Sequence, residues 1–161
     1  MGARRPRGDR SALERFVRAT QRDVWLFVAH LFDTRTADDL AQDTYLRALG
    51  SIHRFEGRSS ARVWLLAIAR RTVADHIRAL RTRPRAADLA DWRTAAERAE
   101  PAGSGFADGI ALAALVDALQ NDQREAFVLT QRLGLSYADA ADVCGCPVGT
   151  IRSRVSRAAT S

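Results

Sequence analysis

Lysine is absent from this sequence: all 25 of its basic residues are arginine, set against 19 acids and three histidines. That excludes the functions built on a lysine amine, namely a Walker-type phosphate loop, a Schiff base or a lysine general base. Cysteine is nearly absent too. Cys144 and Cys146 stand two apart, with no histidine nearby and no second pair, so none of the usual zinc spacings is met and no metal is expected. They read as small, semi-buried residues in a reducing compartment. Long apolar runs are missing as well. The longest strongly apolar stretch, Val63 to Ala69, is far too short to cross a bilayer. The opening MGARRPRGDR is basic but lacks the apolar core of a signal peptide, and Pro6 stands where a myristoylation signal needs Ser or Thr. The expectation is a cytoplasmic protein without membrane insertion.

What is present is a sequence 47% hydrophobic and 27% charged, enough for a packed core under a soluble surface. The net charge of +6 and a pI near 10.8 favour a polyanionic partner, although abundant Arg and Ala also fit a GC-rich genome. Residues 1–81 hold sixteen arginines against nine acids, residues 82–109 four against five, and residues 110–161 five against five. The first segment is therefore the basic one. The last is neutral, yet Arg152, Arg154 and Arg157 lie close together in it.

Helical periodicity runs almost everywhere, and no strand-like alternation persists, so the fold class is all-α. Leu13, Phe16, Val17, Val24, Phe27, Val28 and Leu31 mark one helix face. Thr36 with Asp39 resembles a capping box opening a second helix through Leu40, Thr44, Leu46 and Leu49, ending near Gly50. A polar connection, His53 to Ser60, precedes a long third helix with Val63, Trp64, Leu66, Ile68, Val73, Ile77 and Leu80. Pro84, Pro101, Gly103, Ser104, Gly105 and Gly109 then break the pattern, apart from a short helix around Leu89 to Ala99. So long an irregular stretch argues for two small helical domains: residues 1–83, a flexible linker over 84–109, and residues 110–161. In the second, helical spacing runs through Leu112, Leu115, Val116 and Leu119, then from about Gln123 to Leu133, stopping at Gly134. Ser136 with Asp139 opens a further helix, and Pro147 stands near the start of the last.

Three constellations carry functional information. The strongest is the final helix pair. Ala141, Gly145 and Ile151 have the spacing of a helix-turn-helix: Ala allows close approach, Gly the left-handed turn, and Ile fills the angle. Arg152, Ser153, Arg154 and Arg157 fall on or beside the outward face of its second helix, where Arg forks suit guanine edges and phosphates. Purely structural helical hairpins share this shape. The second is the acidic patch Asp38, Asp39, Gln42 and Asp43 in an otherwise basic half. It lacks the third ligand or histidine of a catalytic or metal site, leaving a solvated face or a docking surface for a basic partner. The third runs from His53, Arg54, Phe55, Glu56, Gly57, Arg58, Ser59 and Ser60 to Arg62 and Trp64. Aromatics interleaved with Arg suit unpaired bases; equally, Phe55 and Trp64 can be core residues under an ordinary loop.

The three segments in this order resemble the extracytoplasmic-function sigma factors of bacterial RNA polymerase, within the sigma-70 family and of an actinobacterial kind. DDLAQDTYLRAL and FEGRSSARVWLLAIARRTVADHIR look like the family's region two. ALQNDQREAFVLTQRLGLSYADAADVCGCPVGTIRSRVSRA looks like its region four, so the match covers roughly residues 11–81 and 110–158. The resemblance implies a non-enzymatic transcription initiation factor that needs no cofactor. It implies that Asp38, Asp39, Gln42 and Asp43 dock on the beta-prime clamp helices of core polymerase. It implies that the His53 to Ser60 loop, with Phe55, Arg58, Ser59 and Ser60, captures a flipped base of the single-stranded minus-ten element. Trp64, Arg70, Arg71 and Arg78 match positions near the melting fork and the upstream backbone. Thr150, Arg152, Ser153, Arg154 and Arg157 match the helix that reads the duplex minus-thirty-five element. Region four would also meet the beta flap, and an anti-sigma factor is a further implied partner. The family commonly has an Asn or another polar base-reader in the loop, where this sequence has Arg58, Ser59 and Ser60. A regulator that binds operators without joining polymerase is the alternative.

Overall fold

The computed structural model describes residues 7–82 and 106–161, and all regular structure among them is helical. The expected linker, apart from its last few residues, and the expected short helix from Leu89 to Ala99 lie outside the described residues. The first unit comprises α1 (Arg7–Leu31), α2 (Ala37–Ser51), a short 3-10 turn (Ile52–Arg54) and α3 (Ala61–Arg81). The second comprises α4 (Phe106–Asp117), α5 (Asn121–Phe127) running into a wide π turn (Val128–Arg132), α6 (Tyr137–Cys144) and α7 (Val148–Ala159). Helix α4 starts earlier than Ile110 and carries Gly109 within it.

In the first unit Val24, Phe27 and Val28 of α1 are fully buried against Leu40 of α2 and Val63, Leu65, Leu66, Ile68, Ala69 and Val73 of α3. The pattern on α2 differs from the expected one. Its buried stripe is Ala37, Leu40, Thr44 and Ala48, while Leu46, Leu49 and, just beyond the helix, Ile52 are exposed. Small side chains at spacings of three and four let α2 lie close to α1 and α3. The buried Thr44 hydroxyl donates to Leu40 O at 2.7 Å, so burying it leaves no orphan group. Thr20 likewise bonds Phe16 O at 2.8 Å and meets Tyr45 Oη at 2.7 Å, tying α1 to α2.

The caps also divide. Ser60 and Ser136 act as expected, accepting from Val63 N at 3.2 Å and Asp139 N at 3.1 Å. Thr36 does not cap α2 with its side chain. Asp33 instead accepts from Thr36 N at 2.7 Å and from Thr36 Oγ1 at 2.6 Å, so the carboxylate upstream organises the turn. In the second unit the π turn widens the end of α5, with Leu133 N reaching Val128 O at 2.9 Å. Gly134, at φ 72°, then reverses the chain.

The two units pack against each other, α3 on α6 and α1 on α5. Arginines bridge the seam. Arg62 Nε donates to Asp23 Oδ2 at 2.7 Å and its Nη2 to Leu133 O at 2.5 Å. Arg124 holds the carbonyls of Val116, Asp117 and Leu119 at 3.1, 2.6 and 2.8 Å, and reaches His30 O at 3.4 Å. Arg70 pairs with the buried Glu125, whose Oε1 also accepts from the Cys144 thiol at 3.4 Å.

Candidate nucleic-acid interface

Helix α7 is built to present one face. Gly145 adopts the left-handed region at φ 64°, its N–H bonding Ala141 O, and Cys146 N returns to Ala141 O at 3.1 Å. Pro147, extended at ψ 150°, sits just before α7, where its missing N–H costs nothing. Ala141, Ile151 and Val155 are buried, and Ile151 fills the angle between α6 and α7. On the opposite side of the helix, Arg152, Ser153 and Arg157 point outward, joined by Ser156, which sequence reasoning missed. Ser153 Oγ donates back to Gly149 O and Thr150 O at 3.1 Å each, so it is folded onto its own helix. Thr150 is half-buried. Arg154 does not share the outward face: its side chain is 23% exposed and faces Asp122 of α5 at 3.7 Å, with Cys146 Sγ at 4.0 Å. Lying three residues after Ile151 and one before Val155, it occupies the shoulder of the buried stripe.

The loop between α2 and α3 combines both readings of its aromatics. Phe55 and Trp64 are half-buried and pack on each other, ring centroids 5.2 Å apart and planes tilted by 47°. They form a ledge of the core edge that still reaches solvent. Gly57 turns the loop at φ 72°. His53, Arg58 and Ser60 are exposed and Ser59 is half-buried. Arg58 pairs with Glu56 at 2.9 Å, and the Ser60 hydroxyl is occupied in capping α3. Along α3, Arg71 and Arg78 are exposed, Arg78 lying 3.8 Å from Asp75. Arg70, one residue before Arg71, is rotated into the seam and held by Glu125. The arginines of this helix thus face two directions.

The acidic patch occupies the first turns of α2. Asp38, Asp39 and Gln42 are exposed and Asp43 is half-buried. Trp25 Nε1 donates to Asp38 at 2.9 Å, and Asp43 lies 3.4 Å from Arg47, which also holds Asp75 at 2.7 Å. Asp39, Gln42, Leu46 and Leu49 continue down one helix face, so the patch runs from carboxylates into exposed leucines 61% and 43% accessible. Spacings of three and four from Asp39 were the signal that joins the carboxylates to these leucines.

Titratable groups sit in the seam. Burial holds His30 below its ordinary pKa, against the opposing pull of Asp117 at 3.5 Å, while Arg124 and Arg132 also disfavour its protonation. Burial, reinforced by Glu125, pushes the Cys144 thiol far up, so it is an inert thiol. Among the described residues no group of three metal-binding side chains converges, and no helix is long and apolar enough to cross a membrane.

Comparisons with known proteins agree with this geometry. Residues 16–83 match the family model for sigma-70 region 2, and residues 110–160 match that for sigma-70, region 4. The chain is 59% identical over 152 residues to the ECF RNA polymerase sigma factor SigC of Mycobacterium tuberculosis, covering 94% of this chain and 82% of that protein. It resembles the structure of the sigma factor RpoE bound to the anti-sigma factor NepR from Bartonella quintana, with a TM-score of 0.73, 29% identity and 92% of each chain covered. It also resembles CnrH in complex with the cytosolic domain of CnrY, with a TM-score of 0.67, 25% identity and coverage of 94% of this chain and 84% of that one.

Proposed function

Because this chain belongs to the extracytoplasmic-function sigma factors of the sigma-70 family, we propose that it directs core RNA polymerase to specific promoters through two separate DNA contacts. Residues 1–83 form the region-two domain, residues 84–109 the linker and residues 110–161 the region-four domain. The observation that carries the reading is α7: a buried apolar stripe fixes it on α5 and α6 while Arg152, Ser153 and Arg157 stand outward together. That is the arrangement a major-groove reader needs for the minus-thirty-five element. Thr150 borders this face, and Arg154 supports it through Asp122 while remaining within reach of a backbone phosphate.

The Phe55–Trp64 ledge, with His53, Arg58, Ser59 and Ser60, takes an unstacked base of the minus-ten element. Arg71 and Arg78 hold the adjoining backbone. Arg70 joins them only when it exchanges Glu125 for a phosphate. Core polymerase docks on Asp38, Asp39, Gln42 and Asp43 through its beta-prime clamp helices, and its beta flap meets region four. The protein works in the cytoplasm, acts without catalysis of its own, and has an anti-sigma factor as a regulatory partner, as RpoE has in the matched complex.

Run-off transcription with core polymerase on a promoter library, with and without this protein, tests the proposal. Protein-dependent transcripts sharing two upstream elements are expected. Core polymerase that stays inactive while the protein binds palindromic duplex by itself would instead establish a conventional regulator, a reading that family membership does not favour.

A further inference from the structure

Most arginines named so far are held by a described neighbour: Arg47 by Asp43 and Asp75, Arg62 by Asp23, Arg70 by Glu125, Arg124 by carbonyls at the end of α4 and beyond, Arg154 by Asp122. Arg15, Arg18 and Arg22 of α1 are not. All three are exposed, and no described residue pairs with them. Spacings of three and four place them on one face of α1, spread over about 10 Å of helix axis. The acids of α1 near them are engaged elsewhere: Glu14 faces Arg10 at 3.7 Å, and Asp23 is turned inward to Arg62 at 2.7 Å. No described side chain pairs directly with any of the three, so a polyanion placed on the row is attracted by all three charges at once.

We propose that the Arg15–Arg18–Arg22 row is a third DNA contact, a sequence-independent grip on the phosphate backbone beside the promoter elements. The row matches about three phosphates at roughly 3.4 Å of axial rise per phosphate along one strand. Its chemistry selects this occupant over the alternatives. The exposed large apolar side chains of the described residues are Leu46, Leu49, Ile52, Leu112 and Leu115, and none belongs to α1. A protein interface draws on an apolar centre and a membrane-lying helix on an apolar face, and neither is available here. Phosphate contacts need neither, because released counterions supply the driving force. The row is also rigidly placed. Asp23, one residue beyond Arg22, is bracketed by Arg62 at the start of α3, the helix that follows the proposed base-capturing loop. The identity of the nucleic acid as promoter DNA rests on the function proposed above.

The test is salt-dependent binding of the holoenzyme to a fluorescent promoter duplex, comparing wild type with R15Q/R18Q/R22Q. Glutamine keeps the helix propensity and removes only charge. The variant should lose about 2–3 units from the slope of log K against log salt, as three phosphates at about 0.9 each require. Its affinity near physiological salt should fall by about tenfold or more, equally when the flanking sequence is scrambled. An unchanged slope would overturn the proposal, as would loss of core polymerase association with DNA contacts intact. The single R18Q variant, expected to lose about 0.9 of slope, decides the matter if the triple variant fails to fold. Wild-type holoenzyme without promoter binding would fail the functional reading itself, a result separate from a variant that merely equals wild type.

Discussion

Helices α2 and α7 both turn a polar face to solvent, but they are built oppositely. On α7 the apolar residues Ile151 and Val155 go inward and the outward face holds Arg152, Ser153, Ser156 and Arg157, with no large apolar side chain exposed. On α2 the inward stripe is made of Ala37, Thr44 and Ala48 around Leu40, and the leucines at 46 and 49 go outward below an acidic first turn. Exposed leucines bounded by carboxylates suit a protein partner, whose association buries apolar area. An outward face of Arg and Ser suits a hydrated polyanion. One chain thus separates its two kinds of surface by which side chains it withholds from the core.

Four sets of tests probe that contrast. The largest effect strikes the core beneath α2. Phe27→Ala empties a fully buried ring site beneath α2 and α3 and should cost about 3–5 kcal/mol of stability by chemical denaturation. A cost under about 1 kcal/mol would mean that the α1–α2–α3 core is not the support for the α2 face.

Next come changes confined to α2. Leu46→Asp with Leu49→Asp, and separately Asp39→Arg with Asp43→Arg, should each weaken association with core polymerase by tenfold or more, about 1.4 kcal/mol. Melting temperature should scarcely move, because these side chains are outside the core. Normal holoenzyme formation by both variants would remove the docking role from this helix.

Changes on α7 are expected to be comparable or smaller, and divisible. Arg152→Ala should cost about 1–3 kcal/mol on the preferred upstream sequence and little on scrambled duplex. Arg154→Ala should instead weaken all sequences alike, since the residue faces Asp122 rather than the groove. Equal sequence selectivity in the two losses would place both residues on the reading face.

The smallest effect is pH. His30 has a lowered pKa in the folded chain, so the unfolded chain binds a proton more readily, and stability falls as pH drops below the ordinary value of 6.5. Above that value the contribution is fully present. Thermal melts between pH 7.5 and about 5 should therefore show a decline that His30→Gln flattens. A decline of the same size in the variant would place the titrating group elsewhere.

Much of this molecule was legible in its residues. Helical spacing gave the all-α class, and Ser60, Ser136, Gly134 and Gly145 marked helix ends that the structure uses. The motif order gave the family. These signals are local: a cap, a left-handed glycine or a 3.6-residue period acts within a few positions of the chain. The sequence also determined that the surface would be strongly basic without any lysine, whatever the fold.

Where individual side chains point was settled by tertiary structure. Arg70 and Arg71 are adjacent and chemically identical, yet one meets Glu125 across the seam and the other meets solvent. Arg154 and Arg152 part in the same way. On α2 the neighbouring helices cover Ala37, Leu40, Thr44 and Ala48 and leave Leu46 and Leu49 to solvent. Asp33 displaced Thr36 as the organiser of its turn. In each case the deciding partner lies on another element or outside the expected motif, and a helical period fixes which residues share a face without fixing which face the neighbouring helices will cover.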